Sequence, residues 1–264
     1  DIMLFTRDQI EDAAQRVHRV LGPTPQYCWP LLSARVGTEI WVKHENHTPV
    51  GAFKVRGGVL FMAELAASRP QIRGVITATR GNHGQSIAYG AARVGVKAVI
   101  VVPHANSIEK NAAMQALGAE LIEHGGDFQA ALEHARDIAA ERGLYFVPSF
   151  DRELVRGVAT YALEFFLRAP PLDVVYVPIG LGSGCAGVIA ARDALGLKTE
   201  IVGVVAANAS CYALSFAAGR AVSTNSADTL ADGMACRVPN EEALAVLLGG
   251  AARVVRVDED EIKA

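Results

Sequence analysis

The sequence predicts an α/β fold built on doubly wound parallel sheets. From about residue 39 onward, short β-branched runs alternate with longer stretches of helical periodicity. Several of those runs are apolar throughout rather than alternating, as expected of strands covered by helices on both faces. Of the 264 residues, 51% are hydrophobic and 20% charged, an ordinary balance for a chain with one large core or two smaller ones.

Taken in order, Thr6 marks the start of an amphipathic helix rather than of a secretory signal. Strands are expected at 39–45 (EIWVKHE), 74–79 (GVITAT), 97–102 (KAVIVV), 119–123 (AELIE), 144–148 (LYFVP), 173–178 (DVVYVP) and 200–205 (EIVGVV). Helices are expected at 53–67, 84–94, 107–118, 127–143, 153–167 and 185–196. The acidic cluster from Asp258 to Glu261 reads as a solvated helix start. No repeat or linker separates domains, so any division is intimate, with the chain passing back and forth.

The net charge of −3, with no run of like charges, argues against nucleic acid or acidic lipid as partner. No apolar stretch is long enough to span a bilayer. Cys28, Cys185, Cys211 and Cys236 are scattered without a C-x-x-C pair, which fits reduced thiols in a cytosolic setting. The chain has no initiator Met and stops abruptly in VDEDEIKA; the expectation is a chain trimmed at both ends.

In doubly wound sheets ligands bind where strands hand over to helices, and three loops stand out. In HENHTPVGAFKVRGG (44–58) a turn at Pro49 and Gly51 precedes Phe53 and Lys54. A lysine at a helix N-terminus, partly buried, is pushed from a pKa of about 10.4 toward the neutral amine that Schiff-base chemistry requires. Taken alone, this loop favours the plainer reading, in which Lys54 and Arg56 are ordinary exposed charges on a first helical turn. TATRGNHGQS (77–86) offers free helix amides for a carboxylate, with Asn82 and His83 beside them; an Asx turn with a helix cap explains the same residues. VPIGLGSGCAGV (177–188) alternates Gly180, Gly182 and Gly184, and successive amides there can line an anion nest. Such glycines destabilise a loop without a ligand, so the phosphate reading is favoured.

Other motifs weigh less. GSGCAG fits the dinucleotide fingerprint, but the next strand ends in Ala206, Ala207 and Asn208 with no carboxylate for a ribose. His44 and His47 have metal spacing only on a helix, which TPVG excludes. Ser183 lacks the first glycine of a nucleophile elbow, since Leu181 stands there.

Together the three loops closely resemble the fold-type II pyridoxal-phosphate enzymes, specifically the threonine dehydratase and serine racemase branch. The family's G-S-F-K-x-R-G is matched by GAFKVRG, its S-x-G-N-H-x-Q by TRGNHGQ, and its V-P-x-G-G-G-G by VPIGLGSG. AGRAVSTNSADTLADGMA looks like the family segment ending in A-D-G, and the likeness runs from about residue 20 to the end.

The resemblance implies two interleaved doubly wound parallel-sheet domains of the tryptophan synthase β kind. Residues 1–50 plus 149–264 would form a large cofactor-binding domain, with 51–70 at its edge, and 71–148 a small domain carrying the asparagine loop. It implies pyridoxal 5'-phosphate as cofactor, a small amino acid as substrate, a cytoplasmic setting and a homodimer or higher homo-oligomer. Lys54 would be the Schiff-base lysine and then the base at Cα. Phe53 would pack near the cofactor, Asn82 would bond its phenolic oxygen, and Gly233 would border the ring. The amides of Gly180, Leu181, Gly182, Ser183 and Gly184 would hold the phosphate. Thr79, Arg80, Gly81 and His83 would line the substrate carboxylate pocket.

The activity implied is that of an ammonia-lyase turning threonine or serine into a 2-keto acid and ammonia. The alternatives are a racemase, a 3-hydroxyaspartate dehydratase, or a cofactor-binding or sensory protein without turnover. Two departures bear on this. Ala52 replaces the serine before Phe-Lys, and Arg80 stands where racemases carry a proton-donating serine. An arginine is a poor acid, which favours dehydration; its guanidinium either pairs with a second substrate carboxylate or points out of the pocket into a structural pair, and the sequence favours neither. The metal-binding carboxylate of the racemases is missing from VVAANASCY, so no divalent ion is expected. The group facing the pyridine nitrogen, and any regulatory domain, would lie beyond Ala264.

Overall fold

The computed structural model describes residues 3–264. Helix α1 (Arg7–His18) starts at Thr6, which forms a reciprocal capping box with Gln9, satisfying two free amides at once. Then come β1 (Gln26–Cys28), α2 (Pro30–Val36) and β2 (Trp41–Lys43), with β1 and β2 paired antiparallel. The expected strand at 39–45 is thus short and lies outside the parallel sheets. β1 and α2 escaped the sequence pattern: β1 is three residues long, and α2 buries no side chain that would impose a period.

The chain continues through α3 (Val55–Ser68), β3 (Val75–Ala78), α4 (Asn82–Arg93), β4 (Ala98–Val102), α5 (Ile108–Ala116), β5 (Glu120–Glu123), α6 (Phe128–Arg142) and β6 (Tyr145–Phe146). The four strands form one parallel sheet in the order β5-β4-β3-β6. β3 and β4 are buried along their whole length. Phe61, Met62, Leu65 and Ile87 pack on one face with Ile100, and Ala131, Ala135 and Ile138 pack on the other with Ile76 and Val99. Helices on both faces explain the unbroken apolar runs.

The remaining elements are α7 (Arg152–Arg168), β7 (Val174–Pro178), α8 (Ser183–Ala194), β8 (Glu200–Ala206), α9 (Cys211–Ala218), α10 (Glu241–Gly250), β9 (Arg253–Val257) and α11 (Glu259–Lys263). The strands β7-β8-β9 form a second parallel sheet, packed against α1, α7, α8 and α10 in a separate core. α11 begins at Asp258 in a capping box with Glu261, as the acidic cluster suggested. α9, α10 and β9 were not anticipated. No helix of the described residues is long and apolar enough to cross a membrane.

Close helix crossings place the loops. A Cβ on Gly58 of α3 would lie 2.2 Å from Ser86 Oγ of α4, so only glycine lets the two helices meet there. Ser86 Oγ in turn donates to the Lys54 carbonyl at 2.6 Å. The lysine is thereby drawn to the carboxyl end of the four-stranded sheet, where ligands of such sheets bind.

Candidate active site

Lys54 is the residue from which α3 springs. Its Nζ donates to Ser183 Oγ at 3.3 Å, joining the loop of residues 44–54 to the first turn of α8. Burial lowers its pKa from the ordinary 10.5 to about 8, against the raising effect of negative charge on the Cys236 sulfur. Near neutral pH a useful fraction of the amine is therefore unprotonated. Phe53 lies between the two loops: a Cβ on Gly184 would come 2.9 Å from its ring, and Lys54 Nζ sits 5.6 Å from its centroid.

The glycine loop closes β7 onto α8. Gly182 has φ +107°, a conformation that disfavours side chains. The first intrahelical bond of α8 runs from Ala186 N to Gly182 O. The amides of residues 180–185 have no acceptor among the described residues. They form an uninterrupted row of donors at a helix N-terminus, the arrangement that binds phosphate.

The asparagine loop closes β3 onto α4. Thr79 is buried, and its Oγ1 accepts from Gly81 N at 3.0 Å and Gly84 N at 3.2 Å, leaving the Asn82 and His83 amides without an acceptor among the described residues. The Asn82 side-chain Nδ2 would lie 3.7 Å from a Cβ on Gly233. A Cβ on Gly180 would lie 2.3 Å from the Gly233 carbonyl, so the 3-10 turn at Asp232–Met234 bridges two of the loops. His83 is buried and turned toward the sheet, with Nε2 3.0 Å from Thr77 Oγ1, whose hydroxyl donates to Val147 O. Burial, then the charge of Lys54, pushes its pKa down to about 3. Arg80 is exposed, with no ion pair among the described residues.

The loops converge on one cleft with an amine, an amide side chain and a row of free N–H groups. Residues 17–264 match the family model described as "Pyridoxal-phosphate dependent enzyme". The chain belongs to that family. It is 34% identical over 249 residues to the biosynthetic L-threonine dehydratase of Salmonella typhimurium, covering 94% of this chain and 48% of that one. It thus spans about half the length of the curated relative. Among solved structures, threonine deaminase isoform 2 of Solanum lycopersicum superposes with a TM-score of 0.87 at 29% identity, over 98% of this chain and 77% of the other. A pyridoxal 5'-phosphate-dependent aspartate racemase superposes with a TM-score of 0.91 at 25% identity, over 98% and 82%.

The residues present fit the family's cofactor. An amine with lowered pKa suits the aldehyde, the free amides of the glycine loop suit the phosphate, and the Asn82 side-chain amide, which has no hydrogen-bond partner among the described residues, suits the phenolic oxygen.

Three groups near the cleft escaped the sequence reading. The Cys211 thiol donates to the Cys236 carbonyl at 3.2 Å, and the proximity of Cys211, with the Lys54 charge contributing, lowers the pKa of the Cys236 thiol; only the fold brings these residues together. Lys110 and Asp232 form an ion pair beside Gly233. Arg56 is buried with Glu45 and Glu164, and Glu164 also takes Lys43 Nζ at 2.8 Å and His18 Nε2 at 2.9 Å. The arginine of GAFKVRG was visible in sequence; its partners, more than 100 residues away in the case of Glu164, were not.

Proposed function

We propose that this chain carries the catalytic site of an ammonia-lyase that removes water from a small β-hydroxy amino acid, such as threonine or serine, and yields a 2-keto acid and ammonia. The observation that carries the reading is Lys54 Nζ at 3.3 Å from Ser183 Oγ, which puts a lowered-pKa amine beside a phosphate-type nest. The threonine dehydratase and threonine deaminase among the relatives support it.

In this reading the loop amides of Gly180, Leu181, Gly182, Ser183 and Gly184 hold the phosphate, Asn82 donates to the phenolic oxygen, and Gly233 and Phe53 border the ring. When bound, pyridoxal phosphate supplies an electron sink for the charge left at Cα. Lys54 would hold the cofactor's aldehyde carbon through its amine and, once the substrate's amine has displaced it, would take the Cα proton at Nζ, with Ser183 orienting it. The free amides of Asn82 and His83 and the Thr79 hydroxyl receive the substrate carboxylate, with Gly81 lining the turn beside it. The buried, neutral His83 imidazole adds no charge there and braces the loop through Thr77.

Arg80 carries a second reading. Exposed and without an ion pair among the described residues, it is free to meet a second carboxylate, favouring an acidic substrate such as 3-hydroxyaspartate.

The reading extends to the molecule as a whole. Separate cores for the two parallel sheets support a large domain of 1–50 plus 149–264 and a small one of 71–148. Four free thiols support a cytoplasmic setting. Exposed Tyr27, Trp29, Leu31 and Val36 on β1 and α2 support a homo-oligomer.

Borohydride reduction of the purified protein, mapping of the pyridoxylated residue, and keto-acid assay of a β-hydroxy amino acid panel test the proposal. Label on Lys54 with keto-acid release is expected. Label elsewhere overturns the site, and label on Lys54 with no product overturns the reaction.

A further inference from the structure

The row of free amides at residues 180–185 poses a physical question. Glycine-rich backbone is the least constrained of all, yet a nest binds phosphate well only if its N–H groups already point one way. In a planar trans peptide the C=O and the following N–H point in opposite directions, so a group that holds a carbonyl aims the next amide. Two tyrosines from different helices do this on the outer side of the loop. Tyr212 of α9 donates its hydroxyl to Leu181 O, and the amide of that peptide belongs to Gly182. Tyr161 of α7 donates to Gly184 O at 3.0 Å, and the amide of that peptide belongs to Cys185.

We propose that Tyr161 and Tyr212 are positioning residues of the phosphate site, fixing the Gly182 and Cys185 amides toward the cofactor by tethering the opposite ends of their peptides. The inference rests on the reading of the glycine loop as the phosphate nest. Tyr212 is set firmly for this: Asn240 N donates to its oxygen at 3.0 Å, leaving the hydroxyl proton for Leu181. A Cβ on Gly182 would lie 3.4 Å from that same oxygen, so the phenol abuts the turn it holds. Tyr161 adds a second link, because its ring stacks on Phe53 with centroids 5.7 Å apart, and Phe53 covers Gly184. The phenol on α7 thus ties the phosphate loop to the residue preceding Lys54. Burial raises the pKa of both phenols, so each stays a donor across the working pH range.

Replacing Tyr212 by Phe keeps the ring and its packing but frees the Leu181–Gly182 peptide to rotate, and replacing Tyr161 by Phe loosens the Gly184–Cys185 peptide, which the first turn of α8 still holds in part. The test strips purified protein of cofactor and titrates it with pyridoxal 5'-phosphate and, separately, with pyridoxal, which has the aldehyde and ring but no phosphate. Tyr212→Phe is expected to bind the phosphorylated form ~10-fold more weakly and pyridoxal within ~2-fold of wild type, since loss of one hydrogen bond to a charged ligand has about that effect. Tyr161→Phe is expected to change in the same sense and provides the comparison if Tyr212→Phe does not fold. Inhibition of cofactor rebinding by inorganic phosphate should weaken in parallel. Equal loss toward both ligands, or no loss toward either, overturns the assignment. A wild-type protein that shows no preference for the phosphorylated ligand instead overturns the nest itself, and with it the reading on which the tyrosines' role depends.

Discussion

Arg56 and Glu164 form an ion pair in which neither side chain is more than 4% exposed, two residues beyond Lys54. Burial alone would raise the Glu164 pKa, but hydrogen bonding and charge from Arg56, then hydrogen bonds from His18 and Lys43, hold it at about 2. Removing one partner of such a pair strands the other, so Glu164→Ala should destabilise the protein by roughly 3–5 kcal/mol in urea unfolding. The carboxylate's folded pKa is depressed, so its contribution is complete above the ordinary value of 4.5 and fades as pH falls toward 2. Wild-type stability should drop steeply across that window, and Glu164→Gln should flatten the drop.

Lys54 gives the opposite sign. Its folded pKa of about 8 lies below the ordinary 10.5, so the unfolded chain binds the proton more tightly throughout that interval. Stability of the cofactor-free protein should rise between these values, and the penalty should be fully present below the lower one. Lys54→Met, which keeps the stem and removes the amine, should stabilise the cofactor-free protein by on the order of 2 kcal/mol near neutral pH, with the gain vanishing above pH ~10.5. The same variant should take no borohydride label. Destabilisation at neutral pH would show that the amine is not held against a desolvation cost.

What the sequence revealed and what it hid follow from the range of the interactions. The strands β3, β4 and β8 were legible because burial on both faces writes itself into consecutive residues, whereas β7, whose Tyr176 and Pro178 are exposed, was legible from its β-branched run. The three loops were legible for the same local reason: each places its glycines, Asn82 or Lys54 within a few residues of a strand-helix junction. Tyr161, Tyr212 and Glu164 look like any other members of their segments until α7 and α9 are packed against those loops, and Asp232, though inside the A-D-G match, shows its partner Lys110 only in the fold. His83 shows the converse. Its place in the loop was readable, but its ring is directed by Thr77, at the strand end of that loop, which is held in turn by Val147, some 70 residues on in the chain.

The Lys110–Asp232 pair should matter to binding more than to folding. Its side chains are 25% and 43% exposed, and pairs so accessible contribute about 0–1 kcal/mol to stability. Yet the Lys110 stem lies where a Gly81 side chain would be, with Cδ 2.3 Å from a built Cβ, and Asp232 adjoins Gly233. The pair therefore straps the asparagine loop to the turn that faces it. Lys110→Met should leave the melting temperature within about 2–4 °C of wild type and raise the KM for the substrate severalfold. The wild-type KM should rise with added salt as the pair is screened, and the variant's should not. Unaltered KM with a lowered melting temperature would reduce the pair to a surface contact.

Arg80 offers the sharpest test of substrate class. An exposed guanidinium without an ion pair among the described residues has no structural partner to lose, so Arg80→Ala should leave the melting temperature unchanged. If it meets a second carboxylate, kcat/KM for 3-hydroxyaspartate should fall by roughly 10–100-fold in the variant, the range expected for a lost charge-assisted pair at a partly solvated site. Activity on threonine, which has no such carboxylate, should stay within about twofold because nothing that Arg80 binds is present. Equal loss on both substrates would place Arg80 in the loop's own architecture. Equal and unchanged activity on both would end the acidic-substrate reading and leave threonine or serine as the substrate.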